Sequence, residues 1–176
     1  MLFRSVDKMI RRHPHVFGDR NIDTAAAQTE AWESHKAAER AKNGGSGALD
    51  GVPVNLPALL RAEKIQKRAS RVGFDWGEPG PALDKVSEEV RELASELKAA
   101  APAERVAEEI GDLLFACVNV ARLANVDAET ALRRATQKFE RRFRGVEARL
   151  AARGRSPAQS TLAEMDALWD EVKAAE

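Results

Sequence analysis

Two groups of acids carry the most legible chemistry in this chain, Glu88-Glu89-Val90-Arg91-Glu92 and Glu109-Ile110-Gly111-Asp112. The second runs directly into the apolar stretch Leu113-Leu114-Phe115-Ala116-Cys117-Val118. A carboxylate at the edge of a buried helix is costly to desolvate unless a cation or strong donors meet it. Acids on two neighbouring helices therefore suggest a shared metal. An all-oxygen donor set selects a hard ion, magnesium or manganese. Histidine is absent from this stretch, which argues against a di-iron bundle, whose helices carry Glu-x-x-His. The competing reading is a solvated acidic face, because Glu-x-x-x-Glu spacing is frequent in ordinary helices.

Basic and aromatic residues supply a second candidate group. Lys138 and Arg142 stand one helical turn apart, a spacing able to clamp successive phosphates, and Trp169 and Lys173 repeat it. Many exposed helices show the same pairs. Phe74 and Trp76 offer flat surfaces in a Gly/Pro-rich loop, where they serve either as packing anchors or as a stacking platform for a base. Acids crowd residues 84–112 and arginines crowd 133–155. That division suits a small polyanion bound through divalent cations, or else salt bridging between wet helices.

These side chains need helices to position them. Almost every periodic stretch reads as helix, with no alternating strand of useful length, so the expected fold is all-α. A first helix is expected over about 56–71, after Asn55 as N-cap. A second, over about 82–99, carries Val86, Val90, Leu93 and Leu97 as its apolar stripe. A third runs from about 104 to 124, and a fourth follows Asp127 and packs through Leu132, Ala135, Phe139, Phe143, Val146 and Leu150. Thr161-Leu162-Ala163-Glu164 is a capping box for a last helix. At 100° per residue Lys85, Glu89, Glu92 and Glu96 cluster beside the second helix's stripe, with Glu88 more outward. On the third helix Glu109, Asp112, Ala116 and Asn119 share a flank of the apolar face formed by Val106, Ile110, Leu113, Leu114, Cys117 and Ala121. Antiparallel packing of the two would gather Glu89, Glu92, Glu109 and Asp112 into one patch.

Composition narrows the function class. Lys plus Arg and Asp plus Glu balance at 28 each, so no global positive field points to a nucleic acid. Apolar runs fall short of the roughly 20 residues a membrane-spanning helix needs. The lone cysteine, Cys117, reads as an inert core thiol and calls for no oxidising compartment. Towards the N-terminus, Lys8-Met9-Ile10-Arg11-Arg12 and the stretch from Trp32 to Glu39 echo Lys138-Phe139-Glu140-Arg141-Arg142 and Trp169 to Glu176. This is either chance or an internal repeat of which only the tail of the first copy is present. Residues 38–55, centred on Asn43-Gly44-Gly45-Ser46-Gly47, read as a flexible linker. His13, His15 and His35 read as loop or surface residues.

The run Glu-Glu-x-x-Glu at 88–92 with Glu-x-x-Asp at 109–112 resembles the MazG family of nucleoside triphosphate pyrophosphohydrolases, within the all-α NTP pyrophosphatase superfamily. The resemblance continues through Lys64-Ile65-Gln66-Lys67-Arg68, Val72-Gly73-Phe74-Asp75-Trp76, Gly111-Asp112-Leu113-Leu114-Phe115 and Lys138-Phe139-Glu140-Arg141-Arg142-Phe143, to Trp169 and Lys173. It covers about 56–176. Residues 1–37 look like the truncated tail of a preceding MazG unit. The resemblance implies a bundle of four or five helices, completed by homodimerisation, in the cytoplasm. It implies hydrolysis of a nucleoside triphosphate to the monophosphate and pyrophosphate with Mg²⁺ or Mn²⁺, without nucleic-acid or membrane partners. By the same resemblance Glu89, Glu92, Glu109 and Asp112 hold the metal, while Lys85 and Asn119 line the site. Lys138, Arg142 and Lys173 would contact phosphates, and Trp169 the nucleoside. Glu88 or one of the metal-binding acids would take the proton of the attacking water, which makes Glu88, Glu89 and Lys85 the catalytic candidates. The alternative is a regulatory module that holds the nucleotide without cleaving it.

Overall fold

A computed structural model describes residues 47–176, and among them five α-helices and no strand. These are α1 (Ala58–Ser70), α2 (Pro79–Lys98), α3 (Ala103–Leu123), α4 (Ala128–Ala152) and α5 (Leu162–Ala174), with one 3₁₀ turn at Pro157–Gln159 between α4 and α5. The three histidines, the first copy of the suggested repeat and half of the expected linker lie outside the described residues. Residues 47–50 form a turn in which the Asp50 carboxylate accepts from the Gly47 N–H. Arg68 of α1 donates to the Asp50 carbonyl.

The helix ends follow local chemistry. Asp127 caps α4 by accepting from the Thr130 N–H at 2.6 Å, and the Thr161/Glu164 capping box opens α5. α1 begins after Pro57 rather than Asn55. α2 begins three residues earlier than expected, at Pro79. The first turn of a helix has no acceptors for its N–H groups, so Pro79 and Pro81 sit there without loss. Four ends close in one way, with a left-handed residue followed by an N–H that reaches back five residues. Gly73, Ala100, Asn125 and Gly154 take the positive φ, and Phe74, Ala101, Val126 and Arg155 donate to Ala69, Glu96, Ala121 and Leu150.

α2 and α3 form a tight hairpin, α1 lies on α3 and reaches α4, and α4 pairs with α5. Val146 and Leu150 of α4 meet Leu168 and Val172 of α5 in the main buried cluster, flanked by Met165 and Trp169. The apolar faces expected to fill the hairpin core are placed differently. Ala82, Glu89, Ala116, Val118 and Asn119 are the buried residues of α2 and α3, whereas Val90, Leu97, Ile110 and Leu114 are exposed. Cys117, expected in the core, is exposed too. On α4 residues 131–140 are all exposed, Leu132 and Phe139 among them. Small or polar residues take four of these five buried positions, while Val86, Leu93, Val106 and Leu113 of the expected stripes are half-buried.

Candidate active site

Glu89 and Glu92 stand one turn apart on α2, and Glu109 faces them from α3. One carboxylate oxygen of each lies within 4.8 Å of the others. Glu89 is 4% exposed, and its two oxygens differ in environment. Oε1 is 2.7 Å from the Lys85 Nζ, while Oε2 is buried with no hydrogen-bond partner. Lys85 also donates to Glu88 Oε1 at 2.7 Å. That bond holds the Glu88 carboxyl below its usual range, and the two glutamates raise the Lys85 ammonium. Loss of hydration and then the Glu89 charge push the Glu92 carboxyl up. Arg105 of α3 pairs across the hairpin with Glu96 at 2.8 Å and, one turn along its own helix, approaches Glu109 at 3.9 Å.

This donor set fits a hard divalent cation. Its ligand atoms are all carboxylate oxygens, the buried Glu89 has an oxygen with no hydrogen-bond partner, and the Glu89 charge that adds to the desolvation of Glu92 is repulsion a cation relieves. Asp112, expected in the same patch, is exposed and is not among the three converging acids.

Asn119 lies two turns beyond Asp112 and is buried. It lines a cavity of about 450 Å³ bounded by α1, α3 and the loop between α1 and α2. Phe74 and Trp76 line the cavity from that loop, with their outer surfaces exposed. Arg122 ties the loop to α3, donating through Nη1 and Nη2 to the Asp75 carboxylate at 2.9 and 2.6 Å. The arginine, helped by the Trp76 and Gly77 N–H groups, lowers the Asp75 carboxyl.

The phosphate-contact candidates form a separate group on α4 and α5. Arg142 lies 5.8 Å from the Trp169 ring centroid, and Phe139 packs on the same ring at 5.2 Å. The Arg142 guanidinium donates to Glu176 at 3.0 and 2.6 Å. Lys138 and Lys173 are exposed. The structure thus brings together Lys85, Glu88, Glu89, Glu92 and Glu109 in one place, and Arg142 and Trp169 in another.

Sequence reasoning missed Glu63, Gln66 and the Asp75–Arg122 pair. The first two were detectable. Leu59, Ala62, Glu63, Gln66 and Ala69 follow the i, i+3, i+4, i+7 pattern of an inward helix face, and Glu63 and Gln66 are buried. The ion pair joins residues 47 apart and has no local signal.

An all-α protein with three converging carboxylates able to hold a hard cation, and with a partly aromatic cavity further along α3, is the class that fold and geometry define. Residues 81–146 match the model of the MazG nucleotide pyrophosphohydrolase domain. The chain carries a MazG domain, as its acidic motifs led one to expect. It is 48% identical over 168 residues to the nucleoside triphosphate pyrophosphohydrolase of Escherichia coli, covering 95% of this chain and 64% of the relative. The Thermotoga maritima nucleoside triphosphate pyrophosphohydrolase/pyrophosphatase MazG is 41% identical over 167 residues, covering 95% and 62%. YabN of Bacillus subtilis is 43% identical over 170 residues, covering 97% of this chain and 35% of its own length. The chain thus spans a little under two thirds of the named pyrophosphohydrolases.

Proposed function

We propose that residues 56–176 form a unit that hydrolyses nucleoside triphosphates to nucleoside monophosphates and pyrophosphate with Mg²⁺, or Mn²⁺ in its place. The observation that carries this reading is the convergence of Glu89, Glu92 and Glu109, with one oxygen of the buried Glu89, Oε2, left without a hydrogen-bond partner. The names of the relatives at 48% and 41% identity support it. Glu89, Glu92 and Glu109 hold the cation, with Asp112 at the exposed rim. A divalent ion bound there would neutralise phosphate charge and polarise phosphorus. Lys138, Arg142 and Lys173 hold phosphate oxygens, and Trp169 contacts the nucleoside. A water oxygen bonds to the α-phosphorus, the bond to the bridging oxygen breaks, and pyrophosphate leaves with that electron pair. Glu88 stands outside the converging triple, so a cation held there would leave its carboxylate available, and we assign it the water's proton.

The unit works as a homodimer. The exposed apolar residues of α2, α3 and α4, Val90, Leu97, Ile110, Leu114, Leu132 and Phe139, then become an interface. No helix among the described residues is long and apolar enough to cross a membrane. From the likeness to the named pyrophosphohydrolases we take the setting to be cytoplasmic.

Incubation with a panel of NTPs should yield NMP and pyrophosphate, and Glu109→Gln with Asp112→Asn should abolish turnover while leaving far-UV helicity intact. Steady release of NDP and orthophosphate would refute the reaction assignment. Saturable binding without product would favour a non-hydrolytic regulatory module instead.

A further inference from the structure

Among the described residues Lys85 is the cation paired with Glu89, the buried member of the three converging acids. Its ammonium nitrogen lies 2.7 Å from Glu88 Oε1 and 2.7 Å from Glu89 Oε1. Both carboxylates favour the charged form of the lysine, Glu88 first. A buried carboxylate is costly to leave uncompensated, and here a single positive charge meets Glu89 from one side. Its other oxygen, Oε2, has no hydrogen-bond partner. Arg105, the cation on the α3 side, is bonded to Glu96 at 2.8 Å and stands 3.9 Å from Glu109.

A divalent ion held by Glu89, Glu92 and Glu109 must take up the carboxylate that Lys85 already holds. Two cations on one carboxylate repel each other, and a cation at one oxygen draws charge from both. The ion is therefore admitted against the lysine, through its higher charge and its contacts to Glu92 and Glu109. The lysine can give way. Its side chain is 35% exposed, and four flexible carbons let it turn a strongly hydrated ammonium to water.

We propose that Lys85 is a tethered competitor of the divalent ion, holding Glu89 when no ion is bound and thereby setting how weakly the site takes the ion on its own. This rests on the cation reading above and makes Lys85 a positioning residue for Glu89. The contact that keeps a charged Glu89 packed in the hairpin is the same contact that lowers ion affinity. A lysine that merely supported the site would have the opposite effect, since its loss would weaken ion binding.

The test uses the full chain and Mn²⁺ alone, without nucleotide and at constant ionic strength, with dissociation constants from calorimetry and from the paramagnetic resonance signal of the free ion. Lys85→Met should bind Mn²⁺ about tenfold more tightly than the wild type. Lys85→Arg keeps the charge and should not. In the absence of metal Lys85→Met should melt below the wild type, because Glu89 loses its counter-charge, and saturating Mn²⁺ should narrow that gap. Lys85→Gln offers Glu89 a donor without a charge, so it should show the same tightening with a smaller loss of Tm, and it carries the comparison if Lys85→Met does not fold. Mn²⁺ affinity unchanged or lowered in Lys85→Gln, or raised equally in Lys85→Arg, would overturn the proposal and leave the cation site standing. No Mn²⁺ binding by wild type and variants alike would overturn both. Absence of NMP and pyrophosphate, with the order of Mn²⁺ affinities intact, would refute the hydrolytic function and leave the competition by Lys85 supported.

Discussion

Gly145 sits inside α4, where glycine costs about 1 kcal/mol relative to alanine, so a gain elsewhere must offset it. A Cβ built on Gly145 would come within 2.9 Å of Val172 Cγ2 and 3.0 Å of Cγ1 on α5. Both contacts are shorter than packed carbons tolerate. Valine in a helix has one strongly preferred rotamer, so Val172 cannot swing aside and α5 itself must shift. Overpacking of this kind costs about 1–3 kcal/mol. Less the recovered helix propensity, Gly145→Ala should lose up to about 2 kcal/mol, centred near 1. For a chain of this size that lowers Tm by about 2–4 °C. Trp169 and Lys173 flank Val172 on the moved helix, so the KM for nucleotide should rise as well. Urea denaturation of Gly145→Ala, Val172→Ala and the double variant closes the cycle. Relief of the clash should appear as a coupling of about 1 kcal/mol between the two sites. Additive single effects, or a Gly145→Ala protein more stable than the wild type, would refute the close-approach argument.

Three further outcomes follow from the geometry. Asp75 is lowered from an ordinary value of 3.8, chiefly by Arg122. Its contribution is therefore fully present above that value and lost as pH falls through the lower, folded-state one. Asp75→Asn should be less stable than the wild type at neutral pH, and the gap measured in urea titrations should shrink as the pH drops below 3.8. Ala100 adopts φ 50° where the hairpin closes, so Ala100→Gly should raise stability by up to about 1 kcal/mol, read as a higher urea midpoint at unchanged m-value. Arg142 donates to Glu176, which a phosphate at the proposed contact would have to displace, so Glu176→Gln should lower the KM for NTPs by up to about fivefold at constant kcat. An unchanged KM would remove Arg142 from the phosphate contacts.

What could be read without coordinates was local. Asp127 and the Thr161/Glu164 box announce their helices because capping depends on three or four consecutive residues. Glu89, Glu92 and Glu109 could be put together because helical phase and a short connection are set by spacing alone, and the MazG resemblance rested on the same motifs. Which face turned inward was not legible. Val90, Leu97, Ile110, Leu114 and Cys117 are exposed, because which part of an apolar stripe meets a neighbour is set by how the helices pack and not by the stripe's own composition. Asp112 shares Glu109's helix yet stands clear of the converging oxygens, since a few tens of degrees of helix rotation decide which acids meet. The Asp75–Arg122 latch and the bond from Gln66 to the Phe115 carbonyl depend on segments brought together from far apart in the chain. Local periodicity carries no record of such contacts, so only tertiary packing could decide them.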